Sequence, residues 1–137
     1  MNELLNRIKE HEGFRSRVYK CTEGYDTIGY GFAIKDLYLS EGISELILRE
    51  KVTNLRLSIG NKISWFDEAP REVREVLLEM AYQMGVSGVS KFKNALKHMK
   101  NEEWNKAADE MLLSRWYKQT PKRAKELSDI IRALKGS

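Results

Sequence analysis

The sequence predicts an α+β protein in which a small antiparallel sheet precedes a mostly helical second half. The chain has 137 residues, of which 42% are hydrophobic, and this is enough for the core of one folded domain. Short alternating segments rich in Val, Tyr, Thr and Ile run from Arg15 to Ala33 between glycines, a pattern typical of β-hairpins. Apolar residues at helical spacing dominate the remainder, and no later segment resembles a strand.

The N-terminal segment predicts a helix over residues 2–12, capped by Asn2 and ended by Gly13. The sheet then forms a small lobe over about residues 13–40. Because the helix ends where the sheet region begins, Glu12 is expected at the junction of the two.

A connecting helix is predicted over about residues 41–59, with Ser40 at its start and apolar residues on one side. It joins the small lobe to a larger helical lobe over about residues 60–137, which also includes the N-terminal helix. Thr120 and Pro121 mark the start of the last helix. The predicted helices of this lobe are residues 70–84, 91–100, 102–113 and 121–134. Without repeats or a flexible linker, the two lobes are expected to form one domain with a cleft between them.

Charge and cysteine content narrow the possible classes of protein. The net charge of +4 favours contact with polyanions, without choosing among nucleic acid, anionic lipid and acidic cell-wall polymer. Cys21 stands alone, so no intramolecular disulfide forms, which suits a reducing cytosol. The charged N-terminus has no signal-peptide pattern, and no run approaches the ~18 apolar residues of a membrane span. We therefore expect a cytoplasmic protein, without stable membrane insertion, that another protein must release.

Glu12, Cys21 and Thr27 are the candidate catalytic residues. They supply an acid, a thiol and a hydroxyl within one glycine-marked stretch, and a helix end and two strands can bring them into one cleft. Each has a structural alternative, because glutamates are mostly solvated, lone cysteines are often buried and threonine favours strands.

Other residues indicate structure and no chemistry. Aromatic residues and methionine at helical spacing predict the core of the helical lobe. These are Met84, Phe92, Trp104 and Trp116. His11 and His98 have no ligand-spaced companions, so no metal or cofactor is expected. No stretch combines clustered Lys and Arg with a recognition-helix pattern, so nucleic acid is not the expected partner.

Three separated segments resemble the phage-type lysozyme family, the glycoside hydrolases related to T-even phage lysozymes. They are KCTEGYDTIGYG, YQMGVSGVSKF and SRWYKQTPKRAK, within a resemblance that runs from about Leu4 to Ala124. The resemblance implies a lysozyme-like fold with an active-site cleft between the lobes. It also implies a muramidase that hydrolyses the β-1,4 bond between N-acetylmuramic acid and N-acetylglucosamine in peptidoglycan, as a bacteriolytic endolysin for host cell lysis.

The resemblance also implies roles for the candidate residues. Glu12 would donate a proton to the leaving oxygen, and Thr27 would hold the attacking water. Cys21 replaces the aspartate of well-known members, so it would act either as a base or as a direct nucleophile. Three further residues match family positions that orient the acid or meet across the cleft mouth: Arg123, and the pair Glu23 and Arg115.

The family positions that bind sugar correspond to Ala33, Tyr82, Gln83, Ala95 and Glu110. An aromatic edge and an amide suit pyranose faces and acetamido groups. At the positions of Ala95 and Glu110, well-known members of the family have a hydroxyl and an amide. The contacts to substrate are therefore expected to differ at these two positions.

Two other functions share these features. A lytic transglycosylase needs the acid but no water, and a non-catalytic peptidoglycan-binding module needs neither. The expected enzyme is a monomer whose partners are peptidoglycan glycan strands. It would depend on a holin for export, remaining in the cytoplasm of the infected bacterium until the membrane is permeabilised and then acting in the periplasm on the cell wall.

Overall fold

The computed structural model describes residues 1–135, which form two compact units. The first unit spans Met1–Ser44, and the second begins at Glu45. The helices are α1 (Asn2–Glu12), α2 (Glu41–Lys62), α3 (Arg71–Ser90), α4 (Lys93–Lys100), α5 (Trp104–Leu112), α6 (Arg115–Gln119) and α7 (Pro121–Arg132). The strands are β1 (Arg15–Lys20), β2 (Asp26–Gly29) and β3 (Phe32–Ala33), followed by a 3₁₀ turn at Ile34–Asp36. The predicted α+β class is confirmed.

The sheet of the first unit is an antiparallel meander in the order β1-β2-β3. Thr27 of β2 pairs with Tyr19 of β1 on one side and with Ala33 of β3 on the other. Side chains that pair across antiparallel strands lie on the same face, so these three residues form one row. A register shift between Arg15 and Tyr19 bends β1 before it reaches this row.

Helix α1 ends at Gly13 as predicted, because this residue has a φ of 70° and its N–H donates to Lys9 O at 2.8 Å. The predicted cap at Asn2 was wrong. Leu5 N–H donates to Met1 O at 2.9 Å, so Met1 occupies the capping position and Asn2 is the first residue of the helix.

Helix α2 begins as the sequence predicts and extends further than expected. Ser40 Oγ accepts a hydrogen bond from Ile43 N–H at 3.2 Å, which confirms its capping role. Ile63 N–H donates to Ile59 O at 2.7 Å, so the helical bonds continue past the predicted end at residue 59. Ile59 is fully buried and fixes this end of α2 in the core of the second unit.

The second unit has a core built from α2 to α7 and the segment before α3. Trp104 and Trp116 are buried in it, and Phe92 and Met84 pack against it, which confirms the core predicted from their spacing. The other fully or nearly fully buried apolar residues are Ile59, Ile63, Phe66, Val73, Val76, Leu77, Met80, Ala81, Val89, Ala95, Met99, Ala107, Ala108, Met111, Ala124, Leu127 and Ile131.

Several predicted helix ends were displaced. Residue 84 was the predicted end of α3, and the helix is interrupted there at Gly85, with a φ of 80°, before it continues to Ser90. The helix predicted over 91–100 begins at Lys93, because Phe92 has a non-helical ψ of 56°. The helix predicted over 102–113 begins at Trp104, because Glu102 has a φ of 59° and Glu103 a ψ of 73°.

Helix α6 was missed because it has only five residues. Ser114 precedes it, and its Oγ accepts from Tyr117 N–H at 3.2 Å, a local capping signal. Thr120 does precede α7, with Pro121 at its first position, but its hydroxyl donates to Trp116 O and caps nothing in α7. Within residues 1–135, no helix has the length and apolar composition needed to cross a membrane.

Candidate active site

A cleft of about 400 Å³ in the first unit gathers the three candidate catalytic residues, Glu12, Cys21 and Thr27. Glu23 and Ala33, two other residues singled out from the sequence, line the same cleft. The remaining lining residues are Tyr19, Thr22, Tyr25, Gly31, Lys35 and Asp36. An acid, a thiol and a hydroxyl therefore open onto one space.

The register of the sheet explains this convergence. Tyr19, Thr27 and Ala33 form the row that crosses all three strands, and each of them lines the cleft. Cys21 follows Tyr19 by two residues, which is the spacing of one face of an extended chain. Glu12 reaches the cleft from the last residue of α1.

A tight loop between β1 and β2 holds the thiol. Cys21 N–H donates to Tyr25 O at 2.9 Å, and Gly24 N–H donates to Cys21 O at 2.9 Å. These two bonds close the loop directly beyond the ion pair of Lys20 Nζ and Asp26 Oδ1, which are 2.7 Å apart. The backbone of Cys21 is therefore held at both its N–H and its carbonyl.

Backbone donors from this loop lower the pKa of Cys21. The N–H of Tyr25 contributes most, followed by that of Glu23, and the Thr27 hydroxyl adds a smaller effect in the same direction. Partial desolvation and the Glu23 carboxylate oppose them by raising the pKa, but they do not cancel the donors. A nest of N–H groups stabilises an anion, so this site favours the thiolate.

Thr27 is the one buried polar side chain among the described residues of the first unit, with 4% of its surface exposed. Its Oγ1 donates to Tyr25 O at 2.9 Å. A hydroxyl has a single proton, so donation to the Cys21 thiolate requires it to leave Tyr25 O. While the proton stays on Tyr25 O, the lone pairs of Oγ1 can accept from a water molecule.

Cys21 should react with iodoacetamide at a lower pH than an ordinary cysteine. The alkylation rate rises with pH because the thiolate fraction increases. Since the pKa of Cys21 is lowered, this rise should begin at a lower pH for the protein than for glutathione. Thr27→Val removes one donor and should move the midpoint of the rate profile upward. Thr27→Ser, the matched control, should leave it in place. Equal midpoints for wild type and glutathione would contradict the effect of the loop on the thiol.

Gly31 sets the position of the Glu12 carboxylate. A Cβ at this residue would collide with Glu12 Oε2, and the residue has a φ of 75°, which favours glycine. The turn between β2 and β3 therefore lets the carboxylate lie directly against the backbone.

Replacing Gly31 by Ala should push the carboxylate away and lower turnover by on the order of a hundredfold, as for other misplaced catalytic groups. Turnover and thermal unfolding would both be measured. Gly85→Ala is the control, since Gly85 has a similar φ of 80° but no atom within 4 Å of the added Cβ. Equal losses of turnover in the two variants would attribute the effect to backbone strain and contradict the positioning role.

Tyr82 and Gln83, two predicted sugar-binding residues, lie on α3 in the second unit. Tyr82 is exposed and lines a cleft of about 440 Å³ with residues of α2. Gln83 Oε1 accepts from Trp116 Nε1 at 2.8 Å, and its Nε2 donates to Thr120 Oγ1 at 3.4 Å. Gln83 therefore satisfies the indole of a buried tryptophan, and its predicted contact with sugar stays a prediction.

Ala95 and Glu110 line a different cleft of the second unit, of about 400 Å³. The Ala95 methyl is almost fully buried, whereas Glu110 is half-buried and shares the lining of the cleft with Lys91 and Lys93. The predicted sugar positions are thus distributed over separate clefts, with Ala33 in the first unit.

Arg123 donates from Nε to Glu79 Oε2 at 2.8 Å, an ion pair within the second unit. Arg115 is the first residue of α6 in the same unit. The predicted contacts of Arg123 with Glu12 and of Arg115 with Glu23 join residues of different units and stay predictions.

The structure adds residues that the sequence did not indicate. Tyr25 supplies the N–H and carbonyl that organise Cys21 and Thr27, yet its side chain gives no sign of this. Lys35 and Asp36 follow Ala33 in the 3₁₀ turn, and Lys35 Nζ lies 3.8 Å from the centre of the Tyr25 ring. Lys35 and Asp36 directly follow Ala33, a residue of the row that crosses the sheet, and this position in the sequence could have indicated that they line the cleft. Among residues 1–135, no three His, Cys, Asp or Glu side chains are grouped to hold a metal ion.

Comparison with known proteins finds one matching family and several similar proteins. The family model described as phage lysozyme matches residues 9–132. "Probable T4-type lysozyme 2" of Dictyostelium discoideum is 28% identical, covering 95% of this chain and 94% of that protein, and "Probable T4-type lysozyme 1" is 29% identical, covering 96% and 94%. "Pre-baseplate central spike protein Gp5" of Enterobacteria phage T4 is 33% identical over 96% of this chain, which spans only 27% of that protein.

Proposed function

Since the chain belongs to the phage lysozyme family and is a lysozyme-like glycosidase, we propose that it hydrolyses the β-1,4 bond between N-acetylmuramic acid and N-acetylglucosamine in bacterial peptidoglycan. The observation that carries the proposal is the cleft of the first unit, where Glu12, Cys21 and Thr27 meet. These are the groups that cleavage of a glycoside by water requires.

Glu12 is the general acid of the proposed reaction. As the bond between the anomeric carbon and the leaving oxygen breaks, its carboxylic acid gives a proton to that oxygen, and the sugar hydroxyl departs neutral. The close approach of its carboxylate to Gly31 supports this assignment, because it places the acid at the cleft wall.

Cys21 and Thr27 together orient the attacking water. With its own proton on Tyr25 O, Thr27 Oγ1 accepts one proton of the water, and the Cys21 thiolate accepts the other. Since both protons of the water are then donated, a lone pair of its oxygen is free to point to the anomeric carbon. As the new carbon–oxygen bond forms, the water proton passes to Sγ. The cycle closes when Sγ releases this proton to solvent and the carboxylate left on Glu12 takes up a proton from solvent.

The route through water predicts inversion at the anomeric carbon. Direct attack by Sγ is the alternative chemistry of a thiolate, and it would form a thioglycosyl intermediate and retain the configuration. The buried Thr27 hydroxyl beside the thiol favours the first route, because its lone pairs can hold a water molecule next to Sγ.

The biological setting we propose is lysis of a bacterial host by a phage endolysin. The enzyme would accumulate in the cytoplasm and act on the cell wall once a holin permeabilises the membrane. A reactive thiol in the active site supports this order of events, because a reducing compartment keeps it unoxidised until release.

The proposal is tested by mass spectrometry of the fragments that purified sacculi release. Wild type should release glycans with reducing muramic acid ends. Anhydro-muramic ends would indicate a lytic transglycosylase instead. Sedimentation with sacculi but no released fragments would indicate a binding module, and either result would overturn the proposal.

A further inference from the structure

Another cleft, which we name the lysine cleft, lies in the second unit, and none of the candidate catalytic residues lines it. Its volume is about 420 Å³. The lining residues are Lys62, Ile63, Ser64, Trp65, Ser90, Lys93, Leu96, Lys97 and Lys100. We propose that the lysine cleft binds the carboxylate-bearing stem peptides of a peptidoglycan strand and holds the enzyme on its polymer; this rests on the proposed function.

The charge of the cleft is the first support. Four lysines line it, and none of the lining residues is Asp or Glu, although the chain has 20 acidic residues against 24 Lys and Arg. Within residues 1–135, none of these four ammonium groups takes part in an ion pair. The four positive charges are therefore available to an external anion.

The spacing of these lysines is the second support. Lys93, Lys97 and Lys100 fall at intervals of four and three along α4, so they share one helix face. Lys62 adds a fourth charge from the end of α2. Like charges at these intervals destabilise a helix by a few tenths of a kcal/mol, so the face does not serve folding. An anion between the lysines relieves their repulsion.

The uncharged residues of the cleft select the kind of anion. Trp65 is half-buried against the core, which holds its ring in place at the cleft wall, where it offers an apolar surface to a sugar or peptide. Ser64 and Ser90 add hydroxyl oxygens, and Ser90 Oγ already donates to Val86 O, so it remains an acceptor. This mixture suits a polar polymer strand with carboxylates.

The test is sedimentation of the protein with intact sacculi at low salt, with every protein carrying Glu12→Gln so that the polymer is not degraded. Lys97→Gln/Lys100→Gln should weaken binding roughly tenfold, as expected for two exposed charge contacts. The control is Lys118→Gln/Lys122→Gln, which removes the same charge from exposed lysines of α6 and α7 outside the cleft and should bind as wild type. High salt should abolish the difference between the two variants.

Two further arms identify the ligand. Sacculi whose carboxylates have been blocked by amidation should bind both double variants equally. The same proteins are tested on anionic phospholipid vesicles. The proposal would be overturned in favour of a membrane site if Lys97→Gln/Lys100→Gln lost the binding to vesicles that wild type shows, while the two double variants bound sacculi equally. Equal binding of the two double variants to sacculi and to vesicles would also overturn the proposal.

The failure of this inference is separable from that of the proposed function. Release of reducing muramic acid ends by the variants with Glu12 restored measures the reaction itself. If wild type releases these ends while the two double variants bind sacculi alike, only the lysine cleft assignment fails. If wild type releases no reducing muramic acid ends, the proposed function itself fails.

Discussion

Glu12→Gln should lower the rate of glycan release from sacculi by about a thousandfold, in the range that loss of a general acid costs. Glutamine preserves the shape of the side chain but has no proton to give to the leaving oxygen. Because Glu12 is the exposed last residue of α1, the substitution should leave the thermal unfolding temperature unchanged.

Glu10→Gln is the matched control, since Glu10 is an exposed glutamate of the same helix outside the cleft. It should release fragments at the wild-type rate. A Glu12→Gln protein as active as Glu10→Gln would remove the acid from the mechanism.

Cys21→Ala should lower activity by about a hundredfold to ten-thousandfold, because no base remains beside the Thr27 water site. Cys21→Asp should retain activity, since a carboxylate can accept the water proton from the same loop. Cys21→Ser should resemble alanine, because a hydroxyl does not ionise at neutral pH.

The same variants separate the two roles of the thiol. The product anomer should be inverted in both wild type and Cys21→Asp if water attacks. A retained anomer from wild type, or an intact protein mass increased by that of a glycan fragment, would assign direct attack to Sγ. If Cys21→Ala acted as fast as wild type, Cys21 would have no catalytic role.

Local signals were sufficient for the first unit. Glycine at the end of α1 and alternation between glycines in the sheet region are properties of neighbouring residues, so the helix, the strands and the convergence of Glu12, Cys21 and Thr27 were predictable. Gly31 was not predictable as the residue against the carboxylate, because that contact joins a turn to a helix end across the fold.

The sequence was less informative for the second unit, where distant contacts set the details. In helix α6, Trp116 is buried and its indole donates to Gln83, a contact across 33 positions of the chain. Periodicity over five residues cannot indicate it. Gln83 was predicted for its amide alone, and only the fold could reveal that Trp116 and Thr120 already bind that amide.

The most direct test of the central claim is digestion of sacculi in water enriched in oxygen-18, followed by mass spectrometry of the released muropeptides. The proposed reaction places one oxygen from water on the anomeric carbon, so the reducing muramic acid end should carry the label from the first turnover. Unlabelled anhydro-muramic ends, or label on the N-acetylglucosamine end, would contradict a muramidase that uses Glu12, Cys21 and a Thr27-bound water.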